Sequence, residues 1–401
     1  MCRIKNLRVE PFSKFSAEEE LDVLNEIFYK PPFYNQLLNL IVDGNSRFIL
    51  GQRGQGKSAI IHKLFHDLSQ KNTLPLLITR YDGVPQTNNT KYFLYIIIQN
   101  ITLGLAKRFS EDKSLLKHLS KCQRTKFNVL LEMFYDIKWA PDFVETANTI
   151  RNKKRTIWWQ RKWNNNLKHI NDIADGVLRV TAEIIRRTLF GDSSFNFDDA
   201  HHDYFSTINV DKFNSFTIDG VDNVDLRELM DMLGLLLDLS KDVGFESIII
   251  LFDKIDEYPL LKSDVEKVSV FMQDLLSDTD FLYTPKLGVV FSLWSEVKRN
   301  LNSKGIRFDK FQDVDIRWKD EDLERIMNHR LAFYSINKES PVTLGALIPE
   351  DSTKKLVLEL ADKSPPIINI AIELYILCGR KRGDNIILSR GYCKRNGPVL
   401  R

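Results

Sequence analysis

Cysteine is scarce in this chain: Cys2, Cys122, Cys378 and Cys393 are four among 401 residues. They stand far apart and no two form a C-x-x-C pair. That spacing argues against a zinc site and against a disulfide framework, and it fits a reducing cytoplasmic setting. A long apolar run is also missing. The most apolar stretch, 93–106, is interrupted by Gln99 and Asn100 and is too short to span a bilayer. The opening residues alternate polar and apolar and carry Glu18, Glu19 and Glu20, so neither a signal peptide nor a membrane partner is expected. Charge of one sign is lacking as well. The 57 Lys and Arg against 54 Asp and Glu leave a net charge of +3. Such a chain is not a polycation built to coat nucleic acid, and any such binding has to come from a local patch.

What is present is ordinary for a soluble globular protein: 43% apolar and 28% charged residues. The length is sufficient for two or three domains and for a large core that needs no covalent staples. Short apolar runs at 47–50, 74–79, 247–252, 286–293 and 314–318 read as strands. Amphipathic or apolar segments at 57–68, 92–109, 224–239 and 265–276 read as helices. The alternation predicts an α/β fold, a parallel sheet covered by helices. That core occupies 46–110 and 216–318. Residues 1–45 are a lead-in whose helix starts at Ser16, with Glu19 reaching back, and ends before Pro31-Pro32. Residues 111–215 contain no convincing strand and read as a helical insertion, with helical segments at 115–134 and 173–189. Helices at 320–334, 351–361 and 366–377 form a C-terminal helical domain over 319–380. A basic tail, 381–401, follows.

Two segments carry chemistry. Gly51-Gln52-Arg53-Gly54-Gln55-Gly56-Lys57-Ser58 fits G-x-x-x-x-G-K-[ST], with Ala59 next in line. The glycines let the backbone turn so that successive N–H groups face anionic oxygens. The helix beginning near Lys57 adds its positive dipole end. Lys57 is expected to reach the outer phosphates of a nucleotide, and the Ser58 hydroxyl to ligate Mg²⁺. An apolar strand before the motif and a helix after it are the context this mechanism requires.

The second segment is Ser247-Ile-Ile-Ile-Leu-Phe-Asp253-Lys-Ile-Asp256-Glu257. Its apolar run predicts a strand buried on both faces. Asp253 then falls at the carboxyl edge of the sheet, where ligands of α/β proteins bind, and an acid there can hold the Mg²⁺ shell. Asp256 and Glu257 follow one turn on, close enough to polarise an attacking water. Ser292, near the end of the strand at 286–293, is placed either to sense the terminal phosphate or merely to satisfy a strand end.

Together the strand–cradle–helix unit, the hhhhD-x-x-DE strand and the polar-ended strand after it resemble the AAA+/STAND class of P-loop ATPases. The stretch Asp309-Lys-Phe-Gln-Asp-Val-Asp-Ile-Arg-Trp, running into a helix, is similar to the link into the lid domain of origin-recognition and STAND ATPases, bacterial defence-associated ones especially. The resemblance covers about 45–110 and 220–380. It implies ATP and Mg²⁺ as cofactors, 319–380 as a lid and a homo-oligomer; of Arg299, Arg307 and Arg317, one is placed to act as an arginine finger across a subunit interface, while each singly reads as a surface arginine. It implies further a role in bacterial antiviral defence with a separately encoded effector. Two departures stand out. Lys363-Ser-Pro-Pro replaces the lid's usual Gly-x-Pro-Arg, and Lys254 stands where AAA+ enzymes often carry the catalytic glutamate. The second departure moves the water-activating role to Asp256 or Glu257 and predicts slow, switch-like hydrolysis.

Other segments bear on partners. From Arg151 to Trp163 there are six basic residues and three tryptophans, Trp158, Trp159 and Trp163. This is either a nucleic-acid surface or an amphipathic helix that packs its tryptophans. The tail adds Lys381, Arg382, Arg390, Lys394, Arg395 and Arg401. Asp198, Asp199, His201, His202 and Asp203 crowd one loop, which is poor geometry for a metal. His62 and His66 read as surface or packing residues. Three functions are therefore weighed: an ATP-driven switch or assembly ATPase, a DNA-binding initiator or loader, and a scaffold that binds ATP without hydrolysing it.

Overall fold

The computed structural model describes residues 7–9, 11, 12, 14, 16–135, 218–277, 279–306, 308, 312–348, 355 and 358. Outside the described residues lie Arg151 to Trp163, the loop at 198–203, Arg307, the expected helices at 351–361 and 366–377 apart from two single positions, Lys363, and the tail 381–401. The chain divides into two compact units, Pro32–Ile316 and a second made of Met1–Pro31 with Arg317–Arg401.

The larger unit is built on five parallel strands: β1 (Arg47–Leu50), β2 (Thr73–Ile78), β3 (Ser247–Phe252), β4 (Leu287–Leu293) and β5 (Asp313–Asp315). Their order is β2-β3-β4-β1-β5. Every residue of β3 and β4 is buried, as near-continuous Ile, Leu, Val and Phe demand in a sheet covered on both faces. The edge strand β5, Asp-Val-Asp, is only half-buried. Register places Ser292 of β4 beside Ile49 of β1, and Phe252 of β3 beside Phe291 of β4. The strand carrying the acids thus stands one strand away from the strand that leads into the cradle.

Helices α1 (Tyr34–Val42), α2 (Lys57–Ser69), α3 (Thr90–Glu111), α4 (Lys121–Tyr135), α5 (Leu226–Asp242), α6 (Val265–Ser277) and α7 (Ser295–Ser303) surround the sheet. Helix α3 is apolar on nearly every side, and Phe93, Leu94, Ile97, Ile98, Ile101 and Leu105 have no exposed surface. Sandwiched among β2, α4 and α5, it is a core helix, and none of the described helices is long and apolar enough to cross a membrane. In the smaller unit α8 (Asp320–Tyr334) packs Leu323, Met327 and Leu331 against Leu7, Leu344, Ile348 and Leu358. The opening of the chain is fastened to it. Arg330 pairs with the buried carboxylate of Glu20 and donates to the Pro11 carbonyl, and Leu7 bridges Ser335.

Two expected helices are interrupted. The single helix read from Ser16 to about 28 is a 3₁₀ turn, Ala17–Glu20, followed by a short helix, Leu24–Ile27. Ser16 makes no side-chain cap there, and Glu20 is engaged by Arg330 instead. The segment 115–134 is a 3₁₀ turn, Lys113–His118, and then α4. Between them Arg124 donates to the carbonyls of Leu116 and Leu119, which holds the break. Helices α1 and α7 add to the elements expected from the sequence.

Candidate functional site

The cradle leaves β1 at Gly51 and enters α2 at Lys57. Gly54 and Gly56 have φ of +86° and +83°, a left-handed backbone that costs an L-residue about 1–2 kcal/mol. The Gln55 amide donates to the Gln52 carbonyl at 3.4 Å, and the first N–H groups of α2 have no partner within that helix. Gln52, Arg53, Gly54 and Gly56 are exposed, while Gln55, Ser58 and Ala59 are half-buried. The Gln52 amide donates to the Gln55 side-chain oxygen at 2.7 Å.

Lys57 is buried, 9% exposed. Its Nζ folds back to donate to the carbonyls of Gly51 (3.1 Å) and Gln52 (2.9 Å). Burial lowers its pKa, while the nearby carboxylates of Asp256, Asp253 and Glu296 raise it and Arg53 lowers it. The cradle's ammonium therefore feels two acids of the second motif and one of α7.

The acid turn follows β3. Asp253 is 2% exposed, and its Oδ2 is buried with no hydrogen-bond partner. A buried carboxylate oxygen left bare is costly unless a cation or donor faces it. This is the arrangement into which a hard divalent ion, taking one or two carboxylates together with substrate oxygens and water, fits. Lys254 then adopts φ +58° and ψ +28°, left-handed for a non-glycine, and Ile255–Glu257 form one 3₁₀ turn. That bend leaves Asp256 half-buried and Glu257 exposed. Burial raises the Asp256 carboxyl above its ordinary value, with Lys57 opposing. Among the described residues no group of three His, Cys, Asp or Glu side chains converges as a metal cage.

Ser292 is 1% exposed and lies one residue from the end of β4, between the two motifs. Beyond it α7 supplies Glu296, whose field reaches Lys57. Ser295 donates to Asp315 of β5 at 2.9 Å. Neither Glu296 nor this link was read from the sequence, since only the sheet order brings α7 to the cradle. Of the candidate arginines, Arg299 is on α7, 80% exposed and 3.9 Å from Glu296. Arg317 is exposed in the smaller unit. His62 and His66 lie on α2, His62 buried and His66 exposed beside Asp67 at 3.2 Å.

No family model, no curated protein and no solved structure matched this chain. What the site can do therefore follows from its own residues. A glycine-built turn at a helix N-terminus, a buried lysine, a bare carboxylate oxygen and a half-buried acid follow the carboxyl ends of neighbouring parts of the sheet.

Proposed function

We propose that the chain binds ATP with Mg²⁺ and hydrolyses it, as a switch or assembly ATPase of AAA+/STAND type. The observation that carries the proposal is the buried, unpartnered Asp253 Oδ2, one strand away from a glycine-built cradle whose lysine it influences electrostatically. In this reading the amides of 52–58 hold the phosphates. Lys57 exchanges its two backbone carbonyls for phosphate oxygens, and Ser58 and Asp253 hold the cation. Bound there, Mg²⁺ neutralises charge developing on the phosphates.

Asp256 is the better-placed proton acceptor for an attacking water, because it is half-buried and within the field of Lys57, whereas Glu257 is exposed. Ser292 contacts the terminal phosphate in this scheme. Assembly as a homo-oligomer, an antiviral defence setting with a separate effector, and a cytoplasmic location extend the proposal from the sequence resemblance alone.

ATP turnover by the purified chain, with and without duplex DNA and RNA, tests the proposal. Lys57→Ala should abolish nucleotide binding and turnover together. Asp256→Ala and Glu257→Ala should leave binding intact, with the larger loss of turnover at Asp256. Stimulation by nucleic acid would favour the initiator or loader alternative. Wild-type protein that fails to bind ATP would sink the proposal altogether.

A further inference from the structure

The acid turn is held by two tyrosines that reach across each other. Tyr81, three residues beyond β2, is 1% exposed. Its hydroxyl donates to the main-chain carbonyl of Asp253 at 2.7 Å and lies 3.2 Å from that of Ile78. The one hydroxyl proton goes to the nearer oxygen. In the other direction Tyr258, the residue after the acid turn, donates from its hydroxyl to the Val84 carbonyl at 3.1 Å. The Asp253 amide also donates to Ile78 at 3.0 Å. The loop after β2 and the turn after β3 are therefore clasped at 78, 81, 84, 253 and 258.

The aromatic surroundings fix the clasp. The Tyr81 ring lies 6.3 Å from Phe93 and Phe252, and 6.1 Å from Tyr258 and Phe271, centroid to centroid. Burial, with Asp253 and Asp256 nearby, raises the Tyr81 pKa well above its ordinary value and keeps it a donor. The Asp253 carbonyl it holds belongs to the peptide that enters Lys254. That peptide orients both the Asp253 side chain behind it and the left-handed bend that presents Asp256 ahead of it.

We propose that Tyr81 and Tyr258 are positioning residues that set the acid turn 253–257 for the divalent cation. Both hydroxyls are spent on main-chain carbonyls, so neither is assigned to the nucleotide or the ion. Tyr81 acts through the Asp253 peptide, as outer partners of metal ligands act through the ligand they orient. Tyr258 fixes the exit of the same turn. The inference rests on the reading of Asp253 as a cation ligand.

The test is a Mg²⁺ titration of turnover, together with Mg²⁺-free binding of a fluorescent ATP analogue, for the wild type, Tyr81→Phe, Tyr258→Phe and Asp253→Ala. Tyr81→Phe keeps the ring packing and removes only the hydroxyl. It should raise the half-maximal Mg²⁺ concentration about tenfold while leaving Mg²⁺-free nucleotide affinity unchanged. Tyr258→Phe should shift the titration the same way, by less. A purely structural role would lower the melting temperature and leave the Mg²⁺ titration where it was, which overturns the inference. Asp253→Ala separates the two levels. If it titrates like the wild type, the cation reading itself fails. If it loses the Mg²⁺ response while both tyrosine variants titrate like the wild type, only the clasp is wrong.

Discussion

The two halves of the site are built on opposite principles. The cradle is exposed at Gln52, Arg53, Gly54 and Gly56, and its shape is written in backbone angles that glycine adopts freely. The acid turn begins at the buried Asp253, at the end of a fully buried strand, and aromatic side chains pack around that start: Tyr81, Phe252, Tyr258 and Phe271. A surface loop that must close on a ligand is cheap to leave in water, since water solvates its polar groups until the ligand arrives. A carboxylate that must stay bare for a cation has to be denied other donors, and burial among aromatic rings does that. The cradle therefore carries little strain from its function, and the acid turn carries most of it.

The sharpest way to break this contrast is Asp253→Asn. Turnover should fall at least about a hundredfold, the scale of removing one preorganised charge-stabilising group. Stability should move the other way. Asparagine keeps a polar atom at this position but removes the buried charge, a cost on the order of 1 kcal/mol or more, so the nucleotide-free variant should melt about 2–4 °C higher, the shift that 1 kcal/mol gives a domain of 150–250 residues. Differential scanning calorimetry without Mg²⁺ checks it. A variant that melts lower than the wild type would mean that Asp253 is a structural residue.

A smaller effect is expected from Asp256→Asn, read through pH. Burial raises the Asp256 pKa above its ordinary 3.8. The folded value then exceeds the unfolded one, so the contribution to stability is full below the unfolded pKa and is lost as pH rises through the folded pKa. At neutral pH the charged form is therefore a burden that asparagine removes. The variant should gain stability relative to the wild type at pH 7 and lose that advantage below the ordinary carboxylate range. If Asp256 is the proton acceptor, the acid limb of the wild-type rate profile lies above pH 3.8, and the variant lacks it. Equal profiles would shift the role to Glu257.

The contrast also decides what was legible in the sequence. The bounds of β1 and β3 and the start of α2 coincide with the runs Arg47–Leu50, Ser247–Phe252 and the glycine motif, because each is set by a local pattern of apolar or glycine residues. Helix α1 carried a readable signal in Tyr34, Leu37, Leu38 and Ile41, four buried residues on one face. Pro31-Pro32 just ahead of it reads as the end of a helix rather than the approach to one. Helix α7 has only Val297 and Leu301 buried, too few to show a period. Tyr81 had no signal at all. Its bond to Asp253 spans 172 positions, and the reason for a tyrosine there exists only once β2 and β3 are paired. Glu296 is alike in this: its approach to Lys57 depends on β4 standing next to β1.

An exposed cradle still needs a fixed base, and α2 supplies it from its far end. There Asp67 accepts from Tyr34 of α1 at 3.0 Å and from Lys63 at 2.8 Å, with His66 at 3.2 Å. Burial would raise the Asp67 pKa, but the hydrogen bonds from Lys63, His66 and Tyr34 and the Lys63 charge hold it down to about 2 from 3.8. A depressed carboxylate contributes stability above its unfolded pKa and loses it as pH falls through the folded one. The shift corresponds to about 2 kcal/mol at pH 7, and about half of that remains near pH 3. Asp67→Asn should therefore lower the urea midpoint clearly at pH 7, and the gap from the wild type should narrow as pH falls toward 2. Nucleotide affinity should drop only slightly, since Asp67 sits ten residues along α2 from Lys57, roughly 15 Å at 1.5 Å per residue. A pH-independent gap would mean that the Asp67 cluster contributes through packing and not charge, leaving the cradle anchored by the apolar faces of α1 and α2 alone.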